Sequence, residues 1–190
     1  MPDRHHLPSG LEVYSGTLFS VLKSTVEQVV LADRASAAHL GSQLHDNSWY
    51  SATAYLDLFF ELEGVLGIYT VFAMGKKIPE VAMWPPDITN IAEALASIDV
   101  AYHMNHRLNG RPMLDLATGT MLEGIGHYHF RLDGRRRAVM VCDTPYPSAF
   151  DHGIITGTAR KFRPNAEVVY DEQQPSRRHL GESCTFVVTW

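Results

Sequence analysis

Apolar residues recur every three or four positions in the first half of this chain and every second position in much of the rest. A helix buries one face at the first spacing and a strand buries one face at the second. Helices come first and β-β-α-β-β follows. The order predicts an α+β fold, an N-terminal helical layer followed by a four-stranded antiparallel sheet backed by a helix. The clearest strand is the ending Cys184-Thr185-Phe186-Val187-Val188-Thr189-Trp190, which puts Cys184, Phe186, Val188 and Trp190 on one face. Ending inside a half-buried strand ties the C-terminus into the core, so no output module is expected after it.

In the helical half, Leu18, Phe19, Leu22, Val26, Val29 and Val30 make an amphipathic stripe over residues 15–31. A second helix is expected over 33–44 with Asp33 as N-cap, and a third over 49–62 opened by Asn47 and Ser48. Gly64 and Gly67 break the third before a fourth at 68–81, and Pro85-Pro86 stops the fourth. A fifth, capped by Asp87 or Thr89, runs toward His106. Strands are then expected at 127–132 and 138–142 around the Asp133-Gly134 turn, a helix at 148–162, and strands at 167–171 and 184–190. Residues 1–13 read as a flexible N-terminus and 14–190 as one domain, with a helical half at 14–106 and an α/β half at 107–190.

The composition, 45% hydrophobic and 19% charged over 190 residues, is that of a globular chain able to build a core. A net charge of −5 argues against a general nucleic-acid binder, which needs a basic face. Arg135-Arg136-Arg137 is the one basic run and reads most simply as a solvated hairpin tip. Two cysteines, Cys142 and Cys184, without a signal-peptide core predict a reducing, cytoplasmic setting. The longest apolar stretch, near 65–74, is about half of the ~20 residues that a membrane span needs, so no membrane span is expected.

Gly153-Ile154-Ile155-Thr156-Gly157 and the ending Gly181-Glu182-Ser183-Cys184-Thr185-Phe186-Val187-Val188 resemble one superfamily. It contains vinyl-reductase-type sensor domains, haem nitric-oxide-binding domains and the vesicle-tethering TRAPP subunits. Ser48-Trp49-Tyr50 and Tyr55 are also similar to uncharacterised proteins abundant in myxobacteria. The resemblance implies a cavity between helices and sheet, which relatives use for small aromatic or hydrophobic effectors, haem or an acyl chain. It also implies a homodimer through the helical half.

Three departures qualify what the resemblance implies. Sensory relatives carry zinc in the loop before the last strand on a Glu and two Cys. Cys184 matches the final ligand, but Ser176 stands where a cysteine belongs, with Glu172 nearby, so no metal is expected there. Haem-binding relatives use a helical histidine and a Tyr-x-Ser-x-Arg clamp for the propionates. Tyr146-Pro147-Ser148-Ala149-Phe150 keeps the Tyr and Ser but puts Phe150 in place of the guanidinium, for which Arg160 or Arg131 could substitute. Finally, sensory relatives are often fused to an output domain, which is not expected here.

Two histidine pairs stand out. His103 and His106 are three apart and would share a helix face; His127 and His129 are two apart and would share a strand face. The segment Ile98-Asp99-Val100-Ala101-Tyr102-His103 is similar to the haem-ligating segment of the haem relatives. A plainer reading leaves His127 and His129 on a solvent face, opposite Tyr128, Phe130 and Leu132. His5, His6, His39, His45 and His179 have no evident companions. Nucleophilic catalysis lacks a Gly-x-Ser-x-Gly elbow, and Asp151-His152 are helix neighbours that point apart.

Aromatic residues crowd the third and fourth helices, and Trp49, Tyr55, Phe59, Tyr102, Tyr128 and Tyr146 are the candidate ligand-binding residues, although for any single one core filling is the better reading. The leading expectation is therefore a non-catalytic sensory or regulatory domain. It would bind a small hydrophobic or aromatic ligand without cofactor or metal and signal through a protein partner. The alternatives are a haem-based gas sensor using His103 or His106, and an assembly subunit with a vestigial pocket.

Overall fold

The computed structural model describes residues 7–26, 28–38, 40, 45, 47–179 and 181–190. Strand β1 (Leu11–Tyr14) buries Leu11 and Val13, so the ordered chain begins earlier than residue 14. It pairs antiparallel with β2 (Trp49–Ser51) on one side and β3 (His106–Leu108) on the other. With β4 (Arg111–Pro112) these form a sheet in the order β2-β1-β3-β4. The register sets Glu12 opposite Arg107, and the guanidinium grips the carboxylate with two hydrogen bonds, 2.6 and 2.9 Å. The α+β class stands, but the first layer is not purely helical.

The helices of this layer are α1 (Gly16–Thr25), α2 (Gln28–Ala37), α3 (Ala52–Leu66), α4 (Ile68–Val81) and α5 (Ile91–Met104). The single helix expected over 15–31 is divided, because Val26 turns extended at φ −115°, ψ 137°. Ser24 Oγ bonds the Val21 carbonyl just before this break, a local bond that competes with helix continuation. Leu22 and Val26 are buried and Val30 packs on the core, as the stripe requires; the side chains of Leu18, Phe19 and Val29 lie outside those described. Asp33 is interior to α2 and caps nothing, and residues 41–44 of that expected helix lie outside the described residues.

Ser51, not Asn47 or Ser48, caps α3. Gly64 stays inside α3, and the break falls at Gly67, whose φ of +82° suits glycine. Asn90 caps α5: its Oδ1 accepts from Ala92 N and Glu93 N while Glu93 Oε2 accepts from Asn90 N and Thr89 N, a capping box that replaces the expected Asp87 or Thr89. Among the described residues no helix is long and apolar enough to cross a membrane.

After a small hairpin of β5 (Leu114–Asp115) and β6 (Thr120–Met121) comes the second half. It comprises β7 (Tyr128–Leu132), β8 (Arg137–Cys142), α6 (Ser148–Phe162), β9 (Glu167–Tyr170) and β10 (Cys184–Thr189). These strands form an antiparallel sheet in the order β7-β8-β10-β9, with the C-terminal strand inside it. Cys184, Phe186 and Val188 are fully buried and Trp190 packs on the core, as the alternation demands. Arg137 starts β8 and pairs with Asp133 across the hairpin tip.

Helices α4 and α6 meet backbone to backbone. A Cβ at Gly75 would lie 2.2 Å from the Phe150 carbonyl oxygen, one at Gly153 2.2 Å from that of Phe72, and one at Gly157 2.3 Å from that of Lys76. Three glycines thus make a seam with no side chains in it. Trp84 closes the far end, donating its indole N–H to the Pro79 carbonyl and packing edge-on against Phe162. Gly153→Ala should destabilise the protein by about 1–3 kcal/mol through overpacking. Gly64→Ala, in a helix with nothing within 4 Å, should instead stabilise it by roughly 0.4–1 kcal/mol. Urea denaturation midpoints of the two variants check both signs.

Candidate functional site

Five of the six expected aromatic residues converge where α3, α5, β7 and the start of α6 meet. Tyr55, Phe59, Tyr102, Tyr128 and Tyr146 are all buried, and Phe150 joins them. Phe59 lies 4.8 Å from Phe150 and 5.8 Å from Tyr146; Tyr102 lies 5.4 Å from Tyr128 and 6.2 Å from Tyr146. These edge-on contacts fill the space between helices and sheet with rings. Trp49 is elsewhere: on β2 it packs against Tyr14 at 5.2 Å and under the Arg107 guanidinium at 4.4 Å.

A polar layer lies beneath the rings. Asp151, in the first turn of α6, is fully buried, and its carboxylate accepts from the Tyr128 hydroxyl at 2.5 Å and the Thr144 hydroxyl at 2.8 Å. Arg177, from the loop before β10, donates to the same carboxylate at 2.5 Å and to the carbonyls of Thr144 and Tyr146. Burial pushes the Asp151 carboxyl up, while Arg177 and the two hydroxyls pull it back. Burial works against the charge on Arg177, yet Asp151 beside it raises the guanidinium further. Burial also pushes the Tyr128 and Tyr146 phenols up, so both stay protonated and donate.

Neither Arg160 nor Arg131 reaches this place; Arg160 bonds the Ala166 carbonyl and Arg131 bonds Asp133. Arg177 was not foreseen, since only folding brings it to Asp151. Ser176, next to it, places its Oγ 3.6 Å from Cys184 Sγ. Above Tyr146, Pro147, Ser148 and Ala149 opens a groove of about 520 Å³, lined also by Phe60, Glu63, Ile68, Tyr69 and Phe72 and by His152, Tyr170, Arg177 and Arg178.

His103 and His106 do not share a face. Helix α5 ends at Met104 and His106 already belongs to β3. His106 Nδ1 lies 2.7 Å from the Tyr102 carbonyl and therefore carries the proton, so Nε2 accepts from the Tyr146 hydroxyl at 3.1 Å. Burial depresses the His106 pKa to about 4, which keeps the ring neutral. His103 turns the other way, its ring 4.7 Å from that of His127, with Nδ1 2.9 Å from the Asp99 carbonyl. His127 is half-buried on Asp99 and Glu123, whereas His129 is exposed, so only His129 behaves as a solvent-face residue.

Two consequences are measurable in the ligand-free chain. Unfolded His106 titrates near its ordinary value of 6.5 and the folded residue near 4. Over that window the unfolded state binds the extra proton, so this contribution is full above about pH 6.5 and is lost as pH falls toward 4. The loss should approach 3 kcal/mol, and His106→Gln should largely abolish it in urea titrations at pH 7 and pH 4. Arg177→Met should cost about 3–5 kcal/mol by stranding the Asp151 charge, and Arg177→Met with Asp151→Leu should recover much of it.

No family model matches the chain, and no curated protein does either. Solved structures do. One H-NOX structure, concerned with haem distortion, superposes with a TM-score of 0.65 over 92% of each chain at 11% identity. An H-NOX protein of S. oneidensis in the Fe(II) state gives 0.63, covering 92% of this chain and 94% of its own at 13% identity. An Fe(II) H-NOX protein of K. algicida gives 0.63, covering 91% and 92% at 13% identity. These neighbours support the haem nitric-oxide-binding branch of the resemblance and do not speak for its vinyl-reductase or myxobacterial branches. They also overturn the leading expectation of a domain without a cofactor, because they are haem-iron proteins. The fold of this chain is the H-NOX fold.

Proposed function

We propose that this chain is a haem-based gas-sensing domain with His106 as the iron ligand. The observation that carries the reading is the state of the His106 ring in an H-NOX fold. It is buried and neutral, and the Tyr102 carbonyl holds its Nδ1 proton, which leaves the Nε2 lone pair as the ligand atom. Haem, when bound, would supply an iron able to take a diatomic gas. Tyr146 is the group that shields Nε2 in this structure, and its hydroxyl would have to turn away from the ring.

His106 offers the iron ligand, but Tyr146 caps its Nε2 and the ring cluster fills the space beside it, so haem binding requires those rings to move, and the carboxylate end differs as well. Tyr146 and Ser148 stand at the groove, but Phe150 is packed among the rings where a clamp arginine would be. The cations on that side are Arg177, held by Asp151, and Arg178, which stacks over Tyr170 at 4.9 Å and lines the groove. Arg178 is therefore the cation assigned to an anionic group bound there. Tyr146 links the ring to the loop before β10, its hydroxyl bonded to His106 and its backbone carbonyl to Arg177, which also holds Asp151, so a change at the ring can reach that loop through one residue. Output would pass to a protein partner.

A second reading has its own observation. The groove sets Phe60, Ile68, Tyr69 and Phe72, with Glu63 among them, against Arg178, which suits an amphipathic aromatic or acyl carboxylate whose head group reaches Arg178 rather than Glu63. Titration of the purified chain with ferrous haem separates the two. Haem ligation should produce a one-to-one Soret band that His106→Ala weakens roughly tenfold or more in affinity, with imidazole restoring the band. A band indifferent to His106→Ala would overturn the assignment. Carboxylate binding abolished by Arg178→Ala, without any haem spectrum, would favour the second reading.

A further inference from the structure

Away from the ring cluster, α5 lays a carboxylate and an imidazole against the edge strand β7. Asp99 Oδ2 lies 2.9 Å from His127 Nδ1, and Asp99 Oδ1 lies 3.5 Å from His103 Nδ1. One ring nitrogen of each histidine and one Asp99 oxygen fall within 4.8 Å of one another. Donors on a tetrahedral ion with bonds of 2.0–2.1 Å stand roughly 3.3 Å apart, and the 2.9 Å between Asp99 Oδ2 and His127 Nδ1 lies close to that spacing.

Hydrogen bonding within the cluster does not account for all of it. His103 is fully buried, yet among the described residues its Nε2 has no hydrogen-bond partner. A buried imidazole nitrogen left unpaired is uncommon and calls for a partner that protein atoms do not supply. The three side chains are also braced from outside, as metal ligands usually are. The Tyr128 N–H holds Asp99 Oδ1 at 2.9 Å, the Asp99 carbonyl holds His103 Nδ1, and Glu123 Oε2 holds His127 Nε2 at 3.1 Å. Asp99 and His127 are each partly exposed, which leaves the cluster open to solvent on one side.

We propose that Asp99, His103 and His127 bind a divalent transition-metal ion of the zinc type, with solvent completing the coordination. Two imidazoles and one carboxylate are a borderline donor set, suited to zinc, cobalt or nickel and unsuited to magnesium or calcium, which take all-oxygen sites. The ion would pin the C-terminal turn of α5 to β7. The site is independent of the haem reading, because it uses neither His106 nor the groove.

Equilibrium dialysis of the full chain, stripped with chelator, against zinc chloride alone tests the proposal. One zinc per chain is expected, with cobalt giving a visible ligand-field spectrum and melting temperature rising with zinc concentration. His127→Ala should weaken binding at least roughly tenfold, and so should Asp99→Asn, which keeps an acceptor for the Tyr128 N–H. His5→Ala with His6→Ala should leave it unchanged. Absence of stoichiometric zinc would overturn the proposal. So would zinc that survives both site variants or disappears with His5 and His6.

Discussion

The second half of the fold depends on the buried pair of Asp151 and Arg177. Neither charge can be left alone in an interior with little water, so each fixes where the other must be. Asp151 arrives on the first turn of α6, where the helix end already favours a negative charge. Arg177 arrives from the loop that precedes the terminal strand. Tyr128 from β7 and Thr144 from the segment before α6 fill the remaining acceptor positions on the carboxylate. One ion pair therefore registers the helix, the edge strand and the last loop of the sheet against one another.

Much of this architecture was legible wherever local pattern alone decides it. The α4 and α6 spans and the alternation of β10 follow from residue spacing and flanking Gly or Pro, and appear as read. What was missed depends on partners far along the chain. Leu11–Tyr14 and Trp49–Ser51 are short, and they are strands only because β1 sits between β2 and β3. The site divides in the same way. The aromatic residues were visible as a supply, and five of them meet, yet Trp49 is diverted to Tyr14 and Arg107 by that unseen sheet. Spacing made a pair of His103 and His106, but the end of α5 between them sends one ring to His127 and the other to Tyr146.

The chain departs from the Tyr-x-Ser-x-Arg pattern that the resemblance implies, and the departure has a physical logic of its own. With Phe150 in the first turn of α6, the interior gains an apolar ring against Phe59 and Tyr146. A guanidinium does reach the region, from the loop before β10, through Arg177. Because its charge is already answered by Asp151, it serves as a strut for the Thr144 and Tyr146 carbonyls. Under the proposed function, the anion-facing role falls to Arg178, one residue on.

The glycine seam between α4 and α6 has a mechanical meaning. Side chains between two helices act as springs, yielding by rotamer changes when one helix shifts, whereas carbonyls in contact with bare Cα atoms yield very little. Gly75, Gly153 and Gly157 leave no such springs. The two helices are thus coupled as a single stiff unit, and the side of it that borders the groove at Tyr146 carries Ile68 and Tyr69, which stand in solvent on the first turn of α4.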